Sequence, residues 1–462
     1  MAAAAPAGGA RPPPTPVILE GRGGVSGKML LDIPGPAGDR VLGNLQEFST
    51  DPLRFLTACA KEYGDIVRIS PRNVLLAGPE HVERMLVDRN ADFVKQGPET
   101  RRAGRRQSLP LSTMSADGED WKAKRRRIQP AFGRELSATA AAAMREQGER
   151  MLEQWRPGQV RDLQQDVSVV TLRLVTALMF GEEYTESEVA EVAGMVVPIM
   201  ELSASPVVLP EWLPTRRKLQ IRRNLRRVER TLARVAASGR AADPEAAPVL
   251  HALLHGTPTP TPAEVNDELA TLLMAGYETT NDAVVWASVL LARNPDAAER
   301  VYRESEKALA GNATGMALLG ELPYTDAVLR ESLRLYSPVW MTSRDARIDV
   351  KFSDYVIPAG TTVTVSQWVN HRDPRHWKQA GEFRPERWLG KEPTEVPRGS
   401  YFPFGLGPRT CFGASLAAVE AVSLLAAVWS RFRLSLATPE SVRPRPALAL
   451  QPLNARFRVE AW

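Results

Sequence analysis

A single long helical pattern, from Thr261 to about Asn294, constrains the fold of this chain more than any other feature. Thr261 and Glu264 form a capping box around Pro262, which occupies the first helical position. Apolar residues then recur with helical spacing until Pro295 ends the pattern. The predicted helix is roughly three times the average length, so it must cross an entire domain.

The middle of this pattern is polar, over the segment Ala275-Gly276-Tyr277-Glu278-Thr279-Thr280. Gly276 costs about 1 kcal/mol of helix propensity, and threonine hydroxyls in a helix bond to the carbonyl one turn earlier and bend the helix. Polar groups inside a buried helix must find partners. The segment is therefore either a tolerated polar patch or one wall of a small-molecule site, and its composition alone favours neither.

The overall composition is that of an ordinary globular protein. Among the 462 residues 44% are hydrophobic, and the formal charge is +5, from 59 basic and 54 acidic residues. Basic clusters at 101–106, 122–127 and 216–227 are more typical of solvated helix faces than of nucleic-acid binding. The chain contains no charge-free stretch of about 18 apolar residues, so no membrane span is predicted. Its two cysteines cannot form a disulfide framework. We therefore expect a cytoplasmic protein, monomeric and without a nucleic-acid partner.

Helical patterns dominate the rest of the chain. They are clearest at residues 121–132, 161–180 and 216–238. Strand-like alternation is concentrated near 355–370, and no repeat or internal linker divides the chain. The prediction is a mainly α protein with a small β region, folded as one domain over 32–462. Residues 1–31, rich in Ala, Gly and Pro, are expected to be a disordered leader.

One of the two cysteines, Cys411, stands in the glycine-rich segment "PFGLGPRTCFGAS" at 403–415. Glycines on both sides permit positive φ and close approach of a ligand to the backbone. A helix predicted from Ala414 places Cys411 at a helix N-terminus, where the dipole and free N–H groups favour the thiolate. Arg409 adds a cation suited to a carboxylate. Such a thiolate is either a nucleophile or a metal ligand, and the segment alone leaves both open.

Glu331 and Arg334 lie three residues apart on one helical face inside an apolar stretch. Taken alone, this is a common surface ion pair. The surrounding leucines indicate partial burial, where each charge needs a committed partner.

The segment at 404–413, Phe404-Gly405-Leu406-Gly407-Pro408-Arg409-Thr410-Cys411-Phe412-Gly413, is similar to the haem-binding signature of the cytochromes P450 at every defining position. Three further motifs agree in the order that the family has them. Residues 275–280 resemble its oxygen-activating helix segment, 331–334 its Glu-x-x-Arg pair, and 383–388 the segment whose arginine completes that ion-pair network. Residues 121–132 resemble its helix that faces a haem propionate. From about residue 32 onward the chain is identified as a member of that family.

The resemblance implies a single-domain cytochrome P450 fold with haem b (iron protoporphyrin IX) between the long central helix and the helix that follows the cysteine. It implies that Cys411 is the axial thiolate, and that Thr279 and Glu278 pass protons to O2, the co-substrate. The other haem-contacting residues that it implies are Trp121, Arg125, Arg344, Arg409, Phe404, Gly405, Gly413, Ala275 and Gly276. Glu331, Arg334 and Arg387 are implied to be structural, holding the segment that precedes the cysteine turn.

Specific roles follow for several of these residues. The resemblance implies that Arg125, Arg344 and Arg409 pair with the haem propionates and that Phe404 packs beside the thiolate. It also implies that Gly276 opens the long helix to make room for dioxygen.

The implied activity is insertion of one oxygen atom of O2 into an apolar small molecule, such as a terpenoid, polyketide or macrolactam, by hydroxylation or epoxidation. Another haem-thiolate oxidation, such as ring closure or rearrangement, and a non-catalytic haem sensor are the alternatives. The candidate walls of the substrate site are largely apolar. They are the segment at 202–213 and six single residues, Met114, Leu272, Leu273, Val339, Trp340 and Thr342. No nucleotide-binding motif of a fused reductase is evident. We therefore expect electrons to come from NAD(P)H through a separate ferredoxin and ferredoxin reductase, or a flavodoxin. The basic residues of 122–127 are expected to attract an acidic ferredoxin.

Overall fold

The computed structural model describes residues 27–39, 43–95, 97, 109–181, 243–311, 315–390 and 395–462, with single positions 219, 223, 230, 234 and 237. The helices, labelled in chain order, are α1 Leu45–Thr50, α2 Pro52–Tyr63, α3 Pro79–Glu83, α4 Gly118–Ile128, α5 Arg134–Leu152, α6 Leu163–Phe180, α7 Pro248–His255, α8 Pro262–Arg293, α9 Pro295–Ala310, α10 Gly315–Gly320, α11 Pro323–Leu335, α12 Gln367–Asn370 and α13 Ala414–Arg431. The wall segment expected at 202–213 lies outside the described residues, as does nearly all of the helix expected at 216–238.

The strands are short and carry the rest of the regular structure. They are β1 Ile66–Ser70, β2 Asn73–Leu76, β3 Phe93–Val94, β4 Val160–Asp162, β5 Thr342–Ala346, β6 Val350–Phe352, β7 Tyr355–Ile357, β8 Thr362–Val365, β9 Arg433–Leu436, β10 Arg443–Pro446, β11 Leu450–Leu453 and β12 Arg456–Glu460. The mainly α fold with a small β region is confirmed.

Helix α8 is the axis of the main hydrophobic core. Its capping box is formed as predicted, since Thr261 Oγ1 accepts from Glu264 N at 3.3 Å and Glu264 Oε2 accepts from Thr261 N at 2.9 Å. The helix packs against α6, α11 and α13. Because almost every residue after Thr279 is buried, the second half of α8 is a core helix, while its polar middle lies where this burial begins.

Helix α13 packs on α8, α5 and α9. Thr280 Oγ1 donates to Glu420 Oε2 at 3.4 Å, and Trp429 Nε1 donates to Ser288 Oγ at 3.4 Å. Within the described part of the chain, α13 is also the one helix whose length and apolar character would suffice to cross a membrane, and 67% of that stretch is buried against the rest of the protein. A core helix meets the same criteria.

The strands of the described residues form four small sheets. The largest has the strand order β1-β2-β8-β5-β3, in which only β2 and β8 are parallel. Strands β4, β12 and β9 form an antiparallel sheet, and β6–β7 and β10–β11 are hairpins. The five-stranded sheet carries β5, and the β10–β11 hairpin packs on α8.

Two predicted elements have different bounds. The alternation near 355–370 is not one strand, because a turn with Gly360 at φ +84° separates β7 from β8 and Ser366 then caps α12 by accepting from Val369 N at 3.4 Å. Residues 161 and 162 belong to β4 rather than to a helix, because they pair with β12.

The ordered structure also begins earlier than the expected boundary at residue 32. Lys28 pairs with the β6–β7 hairpin, donating to Asp354 O at 2.8 Å and accepting from Val356 N at 2.7 Å. Residues 27–31 therefore belong with the folded domain.

Candidate functional site

The turn before α13 is shaped by glycines in the left-handed region. Gly405 and Gly407 have φ of +74° and +70°, which other residues adopt only with strain. A Cβ on Gly407 would stand 2.3 Å from Leu86 O, so no side chain fits there. Cys411 N donates to Phe404 O at 2.9 Å and closes the turn. The result is that Cys411 is exposed at the start of α13.

The Cys411 sulfur is open on one side, but most of its surroundings are protein atoms. This desolvation raises the pKa of the thiol, while the Gly413 N–H and the Arg125 guanidinium oppose it. Cys59, the other cysteine, is buried, and burial together with Glu62 raises the pKa of its thiol to about 11. Of the two thiols, only Cys411 is accessible to a ligand.

Arg344 on β5 is a buried cation without enough partners. Its side chain is 4% exposed, and its Nε and Nη1 atoms have no hydrogen-bond partner among the described residues. Burial, and then the charge of Arg409, lowers the pKa of Arg344 to about 10. Buried guanidinium nitrogens without partners are costly, so this position calls for an anion beyond those that the described residues supply.

Two residues that the sequence did not single out complete this cationic cluster. Asp117 Oδ1 accepts from Arg409 Nη2 at 2.6 Å, and both of its oxygens accept from the backbone N of Lys95, at 3.1 and 2.9 Å. Burial, Arg344 and Arg409 together lower the pKa of Lys95 to about 7, although Asp117 opposes them. Asp117 immediately precedes α4, a position where Asp is favoured, but nothing in the sequence pattern marks Lys95. Three cations thus surround one carboxylate.

Helix α4 brings Trp121 and Arg125 to the same place. The Arg409 guanidinium lies 4.5 Å from the Trp121 ring centroid, and Arg125 Nη2 donates to Thr410 O at 2.8 Å, next to Cys411. Phe412 packs on Phe132 with ring centroids 4.8 Å apart. The structure therefore brings the predicted residues of α4 and of the cysteine turn together, with aromatic rings beside the sulfur.

The polar middle of α8 presents a small, open surface. Ala275 is exposed, and Thr279 Oγ1 donates to Ala275 O at 2.7 Å, the bond to the carbonyl one turn earlier that the sequence predicts. A Cβ on Gly276 would stand 3.0 Å from Val175 Cγ2, so the missing side chain leaves room for α6. Its role in making room for dioxygen stays a prediction.

Glu278 is buried, whereas Ala275, three residues earlier on α8, is exposed. Gln451 Nε2 of β11 donates to Glu278 Oε1 at 2.6 Å, and Glu278 Oε2 has no hydrogen-bond partner within the described ranges. Burial raises the pKa of Glu278, while Gln451 and Arg445 oppose it. A buried acid thus lies next to the half-buried Thr279 in sequence, and the β10–β11 hairpin holds it.

The predicted substrate-wall residues separate into two groups. Met114 and Val339 are 49% and 38% exposed, and Thr342 is half-buried at the start of β5. Leu272 and Leu273 are 4% and 3% exposed and belong to the main core.

Trp340 also lies in the interior. It is 6% exposed in a separate core cluster, where its Nε1 donates to Ala447 O at 3.0 Å. Near Leu272 and Leu273 on α8, the exposed residue is Ala275.

Met114 is presented by a turn that α8 holds. Glu268 Oε2 accepts from Thr113 N at 2.7 Å and from Thr113 Oγ1 at 2.9 Å. Asp267 Oδ2 accepts from Leu111 N at 2.9 Å. Two neighbouring carboxyl groups of α8 therefore fix the 109–116 turn, a role that the sequence pattern does not reveal.

The Glu331–Arg334 pair is fully buried. Arg334 Nη2 and Nε donate to the two Glu331 oxygens at 2.8 and 2.9 Å, and Arg387 Nε donates to Glu331 Oε1 at 3.0 Å. Trp388 Nε1 adds a bond to Glu331 Oε2 at 2.9 Å. Arg334 also donates to the carbonyls of His371, Ala380 and Glu382. This network ties α11 to the chain that leads to the cysteine turn.

The residues around Cys411 fit a flat metal-bearing cofactor that carries carboxylates. The accessible sulfur offers one ligand, and the free Nε and Nη1 atoms of Arg344, beside Arg409 and Lys95, offer charge-assisted donors for a carboxylate. The exposed Ala275 offers a small surface on α8. Haem has these complementary groups, namely an iron and two propionates.

Comparison with known proteins gives a consistent assignment. The family model described as Cytochrome P450 matches residues 33–459. Cyclooctatin synthase of Streptomyces melanosporofaciens is 31% identical over 428 residues, covering 90% of this chain and 92% of that protein. Cyclooctat-9-en-7-ol 5-monooxygenase of the same organism is 31% identical, covering 86% and 88%. Pentalenene oxygenase of Streptomyces avermitilis is 28% identical, covering 92% and 96%. The chain therefore belongs to the cytochrome P450 family of haem-dependent monooxygenases.

Proposed function

We propose that this cytochrome P450 inserts one oxygen atom into an apolar natural product of the terpenoid type, and that the Cys411 thiolate would be the protein ligand of haem b. The observation that carries the proposal is the exposed Cys411 sulfur, together with the buried and unpaired guanidinium of Arg344. When bound, the haem supplies a thiolate-ligated iron that activates dioxygen, and electron donation by the thiolate favours O–O cleavage.

The residues around the cysteine hold this group. Gly405 and Gly407 give the turn its shape, Gly413 leaves space near the sulfur, and Phe404 accepts the bond from the Cys411 N–H. Arg344 would donate to a propionate with the two nitrogens that lack partners among the described residues. Lys95, Arg125, Arg409 and Trp121 complete the polar and aromatic border on that side.

Proton delivery is assigned to Thr279 and Glu278. Because the Thr279 hydroxyl donates its own proton to Ala275 O, its lone pairs remain free to accept a hydrogen bond at the site. Glu278 is the nearest acid in sequence, and burial raises its pKa towards the range in which a carboxyl both holds and releases a proton.

The substrate is assigned from the character of the wall and from the relatives. Met114, Val339 and Ala275 are exposed and apolar, whereas Leu272, Leu273 and Trp340 are buried. The names of two relatives specify oxygenation of pentalenene and of cyclooctat-9-en-7-ol. These names favour the terpenoid among the three classes that the sequence suggests, and hydroxylation or epoxidation as the outcome.

Electrons are proposed to come from NAD(P)H through a ferredoxin and its reductase, or a flavodoxin, acting on a cytoplasmic, monomeric enzyme. The basic cluster at 122–127 contributes only partly to such a docking surface. Lys124 is buried in ion pairs with Asp120 and Glu264, and Arg127 is buried against Pro258 O. Lys122 and Arg126 are the exposed cations of this cluster.

The docking proposal is tested with Lys122→Ala/Arg126→Ala, compared with the same charge change in Arg456→Ala/Arg458→Ala on β12, whose side chains are also exposed. Only the first pair should reduce the salt dependence of the rate of reduction by a ferredoxin, because charge steering is screened by salt. Equal salt dependence in both variants contradicts this docking surface and leaves the monooxygenase proposal intact.

The activity itself is tested by titrating terpenoid hydrocarbons and alcohols against the haem-loaded protein, following the change in haem absorbance, and identifying products formed with surrogate redox partners. Thr279→Ala should lower product formed per NAD(P)H oxidised, while Thr280→Ala, whose hydroxyl instead faces Glu420, should not. A redox-neutral rearrangement would survive Thr279→Ala. Absence of electron consumption with every redox partner and substrate would support a haem sensor instead.

A further inference from the structure

The Glu278 carboxyl of α8 is held by a chain of two residues from the β10–β11 hairpin. Gln451 Nε2 donates to Glu278 Oε1 at 2.6 Å. The oxygen of the same amide accepts from Arg445 Nε at 2.9 Å and also from Arg445 Nη2. Arg445 and Gln451 are register partners in the hairpin. The chain therefore runs from a permanent cation through one amide to the acid.

The hydrogen bonds in this chain have only one possible direction. A guanidinium only donates, so the Gln451 amide oxygen must face Arg445. The amide NH2 then faces Glu278, and because NH2 also only donates, Glu278 Oε1 is committed to accepting. Glu278 Oε2 is buried and has no hydrogen-bond partner among the described residues. A proton on this carboxyl is therefore confined to Oε2.

The hairpin is fixed to the helix whose acid it orients. Trp286 Nε1 of α8 donates to Leu450 O at 2.7 Å, and Leu450 N donates to Pro338 O at 2.9 Å. Leu450, the residue before Gln451, is therefore anchored at two places. One is α8, two turns beyond Glu278, and the other is the segment that carries Val339. Gln451 is held in position by the fold and does not depend on Glu278 for its placement.

Among the described residues, the other charged and titratable groups that act on Glu278 or are acted on by it lie on its own helix and on β10. Asp282 is one turn further along α8, and burial, then Glu278, raises its pKa well above the usual value. Its Oδ1 accepts from Gln164 Nε2 of α6 at 3.1 Å, so α6 supports Asp282. Burial, then Glu278 and Asp282, raises the pKa of Tyr277 to about 12. Arg445 is the cation that favours the ionised form of Glu278.

We propose that Gln451, oriented by Arg445, is a positioning residue that confines the Glu278 proton to Oε2 and so fixes the direction in which this acid donates. The proposal rests on the proposed function, which makes Glu278 part of the proton-delivery route. It adds to that function a residue on the C-terminal hairpin, together with the cation that orients it.

The test uses infrared spectroscopy of the haem-loaded protein as a function of pH. The C=O band of the protonated Glu278 carboxyl is assigned as the band that Glu278→Gln removes. Gln451→Met and Arg445→Met should each shift its frequency and raise the pH at which it disappears, because each removes an interaction that favours the ionised carboxyl. Arg443→Met, the same charge loss at an exposed position two residues earlier in β10, is the matched control and should leave the band unchanged.

The same variants are measured in turnover. Gln451→Met should lower the product formed per NAD(P)H by about three- to tenfold, the range expected for loss of one hydrogen bond, and should alter the solvent isotope effect and the pH profile of coupling. If the band and its titration are the same in Gln451→Met, in Arg445→Met and in the unmodified protein, the positioning role is wrong. If the band shifts as expected but Glu278→Gln turns over with normal coupling, the positioning of the acid stands and the proton-delivery role of Glu278 in the proposed function fails.

Discussion

Arg344 shows how a single residue can indicate a cofactor site, because it is a buried cation that lacks hydrogen-bond partners for two of its nitrogens. Its guanidinium is buried on β5, with two nitrogens lacking partners in the part of the chain that the structure describes. Arg409 stands near it with the same charge, and Lys95 adds to that charge. Asp117 is occupied by Arg409 and by the Lys95 backbone. An anion from outside the polypeptide resolves this imbalance, and a haem propionate is such an anion.

We predict that Arg344→Met accelerates haem loss by about 10- to 100-fold, the range for losing hydrogen bonds between charged groups. Transfer of haem from the loaded protein to a haem scavenger measures this rate. Arg347→Met removes an exposed arginine that directly follows the same strand and should leave the rate unchanged. Equal rates for the two variants would show that Arg344 does not hold the cofactor.

Two elements, the cysteine turn and the Glu331 network, fix the geometry of the site at the next scale. The turn needs Gly407 for two independent reasons, namely its positive φ and its approach to Leu86 O. The network joins α11 to the 383–389 segment through Glu331, Arg334 and Arg387, all fully buried. One element presents the sulfur, and the other holds the chain that leads to it.

For the turn, we predict that Gly407→Ala displaces the cysteine and removes the carbon monoxide difference spectrum of thiolate-ligated haem. Gly360→Ala introduces a side chain at φ +84° where no atom lies within 4 Å. It should cost about 1 kcal/mol of stability through backbone strain alone and retain the spectrum. A normal spectrum in Gly407→Ala would contradict the close approach to Leu86.

For the network, we predict that Glu331→Gln lowers the free energy of unfolding by about 3–5 kcal/mol, because it leaves buried arginines without their counter-ion. The matched control is Asp326→Asn, which breaks the exposed pair with Arg330 on the same helix and should cost less than about 1 kcal/mol. Urea denaturation measures both.

The network also has a pH signature. Burial raises the pKa of Glu331, but its bonds with Arg334 and Arg387 outweigh burial and hold the pKa below the usual value. The stabilisation is therefore present above the pKa of the unfolded chain, about 4.3, and is lost as pH falls through the lowered pKa of the folded state. A loss of stability in Glu331→Gln that did not diminish in acid would contradict this account.

At the scale of the whole molecule, a buried glutamate links the two long core helices α8 and α13. Glu420 of α13 is 3% exposed and contacts Thr280 of α8, and burial raises the pKa of Glu420 to about 8. Glu268, Glu278 and Asp282 on α8 have pKa values shifted in the same direction, in each case chiefly by burial. The native protein therefore holds protons that the unfolded chain releases near pH 4, so its stability falls as pH rises through this window.

We predict that Glu420→Gln flattens this dependence. Between pH 5 and pH 8 the unmodified protein should lose on the order of a few kcal/mol more unfolding free energy than the variant. Urea denaturation at several pH values measures the slopes, with exposed Glu146→Gln of α5 as the control that should keep the original slope. Identical slopes in Glu420→Gln and in the unmodified protein would mean that Glu420 is ionised in the folded core.

The sequence by itself determined the features that depend on neighbours along the chain. These are the long helix with its capping box, the glycine-rich turn before α13, the back-bonded Thr279 and the Glu331–Arg334 spacing, because helical periodicity and turn chemistry are local. It also carried the motifs that identify the family.

Tertiary structure alone decided which elements meet, because contacts between residues far apart in sequence leave no local pattern. Only the fold reveals that Gly276 makes room for α6, that Lys95 and Asp117 join the arginines, and that the amide of Gln451, 173 positions after Glu278, sets where that acid carries its proton.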